Sequence, residues 1–278
     1  MTPCLLHVLS ALILPLLLTT PAVAGGPAPA GTVFMEEMTS PELRQRIVSG
    51  TTTVLVPIGG TEQNGPHMVL GKHNVRVRVL AAQIADRLGN AVVAPVVAYV
   101  PEGSIQPPAA HMRFTGTISI AEPAFEGLLE GAARSFRQHG FQDVVFLGDH
   151  GGYQKNLARV ANRLNQEWAR DGHIRVHALP QYYAAAQAPF NDQLKAKGFT
   201  AAEIGTHAGL ADTALALAVD PALVRRERLT QSPKAAEANG VSGDPRRATA
   251  EAGQWGTQAI VDASTAAIRE AIRTRAVR

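Results

Sequence analysis

Residues 54–60, VLVPIGG, form a short apolar run that ends in two glycines, which is typical of a buried strand leading into a loop. Further along, Val75, Val79, Ile84 and Leu88 recur at helical spacing until Gly89. These segments predict a strand, a loop and a helix in that order. Polar side chains in that loop are expected at the carboxyl end of the strand.

The same alternation continues to the end of the chain. Apolar runs predict strands at residues 91–100, 144–147 and 174–179. Amphipathic segments predict helices at residues 124–139, 153–170, 209–218 and 254–275. Continuous Val, Ile and Leu runs separated by helices indicate an α/β fold with a mostly parallel sheet covered on both faces. Such sheets place ligands in the loops beyond the carboxyl ends of their strands.

The N-terminal segment predicts export. Residues 5–20 are nearly all apolar, and residues 21–24, PAVA, have the small-x-small form of a signal-peptidase site. We therefore expect a signal peptide over residues 1–24, a flexible lead-in over 25–31, and one mature domain over 32–278 that is periplasmic or secreted. The alternative is an uncleaved membrane anchor, but Pro15 interrupts a segment already shorter than the ~20 residues of a spanning helix.

Composition narrows the class of protein. The chain has 278 residues, 46% hydrophobic and 18% charged, so it can bury a large core. Its net charge of +3 does not suggest nucleic-acid binding. Cys4 is the only cysteine and lies in the predicted signal peptide, so the mature chain would have no thiol. Any metal ion would then be bound through nitrogen and oxygen atoms.

Histidines and carboxylates follow the predicted strands. Glu62, His67 and His73 come after the first strand, and Asp149 and His150 come after the third. Imidazole and carboxylate ligands together suit zinc, manganese or ferrous iron. Each residue alone also fits a structural role, as a hydrogen-bonded side chain or a helix cap. Because the sequence lacks the motifs of helical zinc proteases, serine hydrolases and phosphate-binding loops, their joint placement favours a metal site.

Five ordered motifs resemble those of the creatininase family. They are residues 57–73 (PIGGTEQNGPHMVLGKH), 111–119 (HMRFTGTIS), 148–153 (GDHGGY), 207–214 (HAGLADTA) and 240–245 (GVSGDP). The resemblance implies a three-layer α/β/α sandwich that forms homo-oligomers, a hexamer by family resemblance. It also implies hydrolysis of cyclic or linear amide C–N bonds at a metal centre that is typically dinuclear.

The family's ligand pattern carries over only in part. Glu62 and His150 match ligands of the first and third motifs, but a ligand histidine is replaced by Asn64 and a bridging aspartate by His73. A neutral imidazole offers one lone pair and cannot bridge two cations as a carboxylate does. We therefore expect one divalent ion, with zinc favoured over manganese or iron. Its expected ligands are Glu62, His73, His150 and Asp212.

Catalytic roles are expected for four residues. His207 matches the histidine of the fourth motif and is expected to protonate the leaving nitrogen. The backbone N–H groups of Gly151 and Gly152 are expected to stabilise the oxyanion. Asp149 is expected either to orient His150 or to act as a base.

Three further residues are predicted to contact a small-molecule amide substrate: His67, His111 and Tyr153. Structural bracing is the alternative role for the two histidines. Residues 103–113 depart from the family pattern, so the sequence does not identify creatinine as the substrate. The alternative to an enzyme is an exported, non-catalytic binding protein with a degenerate metal site.

Overall fold

The computed structural model describes residues 31–229 and 238–276. The predicted signal peptide and residues 25–30 of the lead-in lie outside this part of the chain. Within it, no helix is both long enough and apolar enough to cross a membrane.

A parallel four-stranded sheet forms the centre of the fold. Its strands are β1 (Thr53–Ile58), β2 (Ala91–Val93), β3 (Asp143–Gly148) and β4 (Arg175–Ala178), in the order β2-β1-β3-β4. The central strands β1 and β3 pair along their whole length, from Thr53 opposite Asp143 to Ile58 opposite Gly148. Because all four strands run in the same direction, their carboxyl ends meet at one edge of the sheet.

Helices cover both faces of the sheet. One face packs against α2 (Lys72–Leu88), α5 (Pro180–Ala185), α6 (Ala188–Ala196), α7 (Ala201–Ile204), α8 (Leu210–Val219) and α9 (Ala250–Ala276). The other packs against α1 (Ser40–Val48), α3 (Glu122–Gln138) and α4 (Gln154–Glu167). In β1, Leu55 enters the first core, whereas Val54 and Val56 enter the second. This arrangement confirms the predicted three-layer α/β/α fold.

Predicted bounds differ most from the structure at two elements. The run at residues 91–100 forms a strand only at Ala91–Val93, since Pro95 has no N–H for a strand ladder. The last helix begins at Ala250, ahead of the predicted residue 254. The Thr249 hydroxyl accepts a hydrogen bond from the Ala252 N–H and caps this earlier start.

Candidate metal and catalytic site

A polar cavity of about 310 Å³ opens at the carboxyl edge of the sheet. Its wall includes Lys72, His111, His150, Tyr183 and His207. These residues come from the start of α2, the loops after β2 and β3, helix α5, and the segment before α8. The fold therefore brings together polar side chains that are far apart in sequence.

Glu62, His111 and His150 are spaced so that they could hold a metal ion. One ligand atom from each residue lies within 4.8 Å of the others. The Nε2 of His111 is 3.2 Å, and the Nε2 of His150 3.7 Å, from Oε2 of Glu62. This Oε2 is buried and makes no hydrogen bond within the described residues. A buried carboxylate oxygen in this state requires a partner, and the donor set suits a divalent cation.

His73 lies beside this cluster. It is in the first turn of α2, where its Nε2 is 2.8 Å from Glu62 Oε1 and its Nδ1 is 2.5 Å from Asp149 Oδ2. Both ring nitrogens are thus engaged by carboxylates. The predicted role of His73 as a metal ligand would require one of these contacts to break, whereas its present contacts hold Glu62 in place.

Asp212 is paired with two cationic side chains. Its Oδ2 accepts hydrogen bonds from Lys72 Nζ at 2.5 Å and from the Ala208 N–H at 3.0 Å. Its Oδ1 accepts one from Arg76 Nη1 at 3.0 Å. Because both oxygens have donors and two positive charges lie beside them, this geometry argues against Asp212 as a metal ligand.

The paired acids remain ionised, although Glu62 is fully buried and Asp212 half-buried. Burial opposes ionisation of Glu62, but the hydrogen bond from His73 and the charge of Lys72 hold its pKa well below the usual value. Burial likewise opposes ionisation of Asp212, whose pKa the charges of Lys72 and Arg76 hold well below its usual value. The site therefore carries fixed negative charge that is balanced by neighbouring cations.

Two imidazoles at the cavity are neutral at pH 7. Burial lowers the pKa of His150 to about 3 and that of His207 to about 4. A neutral imidazole retains a lone pair, which both metal ligation and proton acceptance require.

His207 is held by the backbone of the first motif. Its Nε2 is 2.9 Å from the carbonyl oxygen of Gln63, and its Nδ1 is 3.8 Å from Glu62 Oε1. If Nε2 donates its proton to this carbonyl, Nδ1 is left as the acceptor nearer Glu62. The next residue, Ala208, has a φ of 53°, which is unusual for a residue with a Cβ atom. Local strain therefore accompanies the placement of this histidine.

Asp149 contacts His73 and not His150. Its carboxylate accepts hydrogen bonds from His73, Arg76 and Tyr182. Burial opposes its ionisation, but the nearby charge of Arg76 lowers its pKa. Because three donors already occupy its oxygens, Asp149 is a weak candidate for a base. The structure corrects the predicted pairing of Asp149 with His150.

The two candidate oxyanion donors occupy the turn between β3 and α4. The Gly152 N–H donates a hydrogen bond to Nδ1 of His150 at 3.2 Å. Gly151 lies against Tyr183, whose hydroxyl would be 2.6 Å from a Cβ atom added at this glycine. Gly152 is thus engaged within the protein, while Gly151 allows the close approach of a cavity-lining tyrosine.

His67 and Tyr153 are buried beneath the cavity, which corrects their predicted contact with substrate. His67 is 1% exposed, and its Nε2 is 3.0 Å from Thr213 Oγ1. The fully buried hydroxyl of Tyr153 forms hydrogen bonds with four backbone groups, those of Ile58, Gly59, Asp149 and His150. Both side chains brace the loops that carry the site.

Three charged residues at the site were not singled out from the sequence. Lys72 lies inside the first motif, directly before His73, and Arg76 follows one helical turn later. Their positions at the start of the predicted helix were an available signal. Glu102 lies outside all five motifs and carries no such signal. It is 3% exposed, and burial together with the charge of Glu62 raises its pKa to about 8.

A parallel sheet that carries, at its carboxyl edge, a glutamate and two histidines able to hold a metal ion is the arrangement expected of a metal-dependent α/β enzyme. The creatininase family model, described as creatinine amidohydrolase, matches residues 36–268. The chain belongs to the creatininase family of metal-dependent hydrolases that act on C–N bonds.

Known relatives have different names. The creatinine amidohydrolase of Pseudomonas putida is 27% identical over 210 residues, covering 73% of this chain and 78% of the relative. The mycofactocin precursor peptide peptidase of Mycobacterium tuberculosis is 28% identical over 242 residues, covering 78% and 84%. The solved structure named "Creatininase Mn" is 25% identical, with a TM-score of 0.70 over 86% of this chain and 98% of that chain.

Proposed function

We propose that this chain is an exported amidohydrolase that binds one divalent ion through Glu62, His111 and His150 and cleaves the C–N bond of a small amide. The proposal is carried by the cluster itself, in which a buried carboxylate oxygen without a hydrogen bond faces two imidazole nitrogens. One carboxylate and two imidazoles would match the three protein ligands that catalytic zinc sites commonly have.

The residues around the cluster supply the proton transfers. A divalent cation, when bound, polarises the substrate carbonyl and acidifies water. His207 is neutral, and its Nδ1 is 3.8 Å from Glu62 Oε1, at the edge of the cluster. It accepts the proton released by the attacking water and returns that proton to the departing nitrogen. In this proposal His207 transfers protons and is not a metal ligand.

Lys72 supports a site for one ion. Its ammonium group is 2.5 Å from Asp212 Oδ2 and 3.6 Å from Glu62 Oε1, so a fixed positive charge lies between these carboxylates. Asn64 directs its amide nitrogen to the carbonyl oxygens of Glu62 and Val69. One solved structure, of a mutant creatininase, is described as of the Zn-Zn type. In this chain, the lysine ammonium takes the place of a second metal ion. Zinc is favoured as the single ion, and manganese is the alternative.

The cavity favours a small substrate. Its volume of about 310 Å³ is near the lower end of the range for ligand pockets. The name of the Pseudomonas putida relative indicates a small cyclic amide, whereas that of the mycobacterial relative indicates a peptide. The similarity to the latter, over 78% of this chain, makes peptide cleavage the second candidate function.

The first experiment is elemental analysis of protein purified without chelators. We expect about one equivalent of zinc or manganese in the wild type, and its loss in Glu62→Ala, His111→Ala and His150→Ala. Asp212→Asn should keep the ion, because Asp212 pairs with Lys72 and Arg76 in our assignment. Loss of the ion in Asp212→Asn, with retention in His111→Ala, would instead support the ligand set expected from the sequence.

Activity is then measured on small cyclic and linear amides and on short peptides, by release of amine. Hydrolysis of small amides that stops with chelator and returns with metal would support the proposal. Cleavage restricted to peptides would favour the second candidate. Ligand binding without metal and without turnover would indicate a non-catalytic binding protein.

A further inference from the structure

Glu102 is a buried carboxylic acid whose oxygens lack hydrogen bonds. The residue is 3% exposed, and neither Oε1 nor Oε2 has a hydrogen-bond partner among the residues described. Its backbone N–H is fixed by the Ser119 hydroxyl at 3.0 Å. Gly60 makes room for the side chain, because a Cβ atom there would lie 2.5 Å from Oε1. A buried, unsatisfied acid held in this way requires an explanation.

The imidazole of His150 lies between this acid and Glu62. Its Nδ1 is 3.5 Å from Glu102 Oε2, and its Nε2 is 3.7 Å from Glu62 Oε2. The side of the ring that faces Glu62 is the side of the proposed metal cluster. Glu102 therefore lies behind the ligand histidine, on the side away from the proposed ion.

The hydrogen bond that Gly152 donates to His150 indicates which ring nitrogen carries the proton when no metal is bound. The Gly152 N–H donates to Nδ1 at 3.2 Å, so the proton of the neutral ring is on Nε2. Ligation through Nε2 requires that position to be free and moves the proton to Nδ1. The Gly152 N–H cannot accept a hydrogen bond from Nδ1–H, whereas an oxygen of the Glu102 carboxyl group can, whether that group is protonated or ionised.

We infer that Glu102 is a positioning residue for the metal site. Its carboxyl group accepts a hydrogen bond from Nδ1–H of His150 and so fixes Nε2 as the metal-binding nitrogen. The inference rests on the proposed function, since it assumes ligation by His150. Histidines that bind metals usually donate their second ring nitrogen to such an acceptor, which fixes the ring and strengthens the ligand. Here the acceptor comes from the loop after β2, separate in sequence from every motif of the site.

The test uses zinc alone as the probe, with affinity measured by competition with a chromophoric chelator. Glu102→Leu removes the acceptor and is expected to weaken zinc binding about 10- to 100-fold. Glu102→Gln keeps an acceptor oxygen and should stay within about threefold of the wild type. Glu227→Gln, at an exposed position away from the cavity, is the matched control and should bind as the wild type does.

A spectroscopic measurement separates positioning from a general loss of structure. In protein labelled with ¹⁵N-histidine, zinc should move the His150 proton from Nε2 to Nδ1, and Glu102→Gln should shift the Nδ1–H resonance. This readout remains available if Glu102→Leu does not fold. Unchanged zinc affinity in Glu102→Leu, or an Nδ1–H resonance unaffected by Glu102→Gln, would overturn the inference. A wild type that binds no zinc would instead overturn the proposed function.

Discussion

Lys72 Nζ lies 2.5 Å from Asp212 Oδ2, and this contact joins the first turn of α2 to the first turn of α8. Lys72 is only 1% exposed, so its charge is shielded from solvent and depends on its carboxylate partners. The same ammonium is 3.6 Å from Glu62, the central residue of the candidate metal cluster. The stability of the fold and the affinity for metal are thus connected through one side chain.

Replacing this lysine should affect the two properties in opposite directions. Lys72→Met leaves Asp212 with Arg76 as its remaining cation and should destabilise the protein by about 3 kcal/mol, measured by urea unfolding. Removal of a positive charge next to Glu62 should tighten zinc binding by about tenfold, measured by chelator competition. Weaker zinc binding in this variant would contradict the assigned position of the ion.

The double variant Lys72→Met/Asp212→Asn provides the control. It removes one charge of each sign, so part of the lost stability should return, and a double-mutant cycle gives the coupling between the two residues. If the double variant lost as much stability as the two single variants together, the contact would contribute little to folding.

The fold could be predicted from the sequence because periodicity reports burial directly. The runs at residues 54–58 and 144–147 are apolar throughout, and the structure places both in the centre of the sheet. The short helices α5 to α7 have few residues each and are set mainly by tertiary packing, so hydrophobic spacing gave little indication of them.

The candidate site could be predicted only in part. From the motif resemblance we expected Glu62, His150 and His207 to lie near one another. They do so at the carboxyl edge of the sheet, where residues at strand ends converge. It did not show which partner each side chain takes. His73 replaces an acid and now pairs with two acids, and Glu102 lies in a loop where neither spacing nor composition indicates its burial against His150. These pairings depend on three-dimensional distances.

His207→Ala should remove turnover without removing metal. The side chain is outside the Glu62, His111 and His150 cluster, so zinc content should remain near one equivalent. Loss of the proton carrier should lower kcat about 10²- to 10⁴-fold on the amide identified by screening. His139→Ala, at an exposed position after α3, is the control and should leave both values unchanged. Equal loss of metal and turnover in His207→Ala would make His207 a ligand.

Two tyrosines near the site should respond differently to loss of their hydroxyls. Tyr153→Phe leaves buried backbone groups at the ends of β1 and β3 without a partner and should destabilise the protein by about 2–3 kcal/mol. Tyr183 lines the cavity, so Tyr183→Phe should change KM or kcat with little effect on unfolding. Urea unfolding and steady-state kinetics on both variants distinguish a structural hydroxyl from one that faces substrate.

The free energy of unfolding should fall as the pH is lowered from about 6.5 to about 4, because His67 stays neutral in the folded protein over this range. Burial lowers the pKa of His67 to about 4, whereas in the unfolded chain it is near the ordinary value of about 6.5. Between these values the unfolded state binds a proton that the folded state does not, so acidification favours unfolding. The contribution is complete above pH ~6.5 and is lost progressively towards pH ~4, by at most about 3 kcal/mol.

His67→Gln tests this directly, because glutamine can keep the contact with Thr213 but does not titrate. We expect the wild type to lose stability relative to the variant between pH 7 and pH 4.5. The measurement is urea unfolding of both proteins with chelator present, so that metal binding makes no contribution to the pH dependence. A difference in unfolding free energy that stays constant across this range would mean that His67 has the same pKa in the folded and the unfolded protein, so that its burial does not resist protonation.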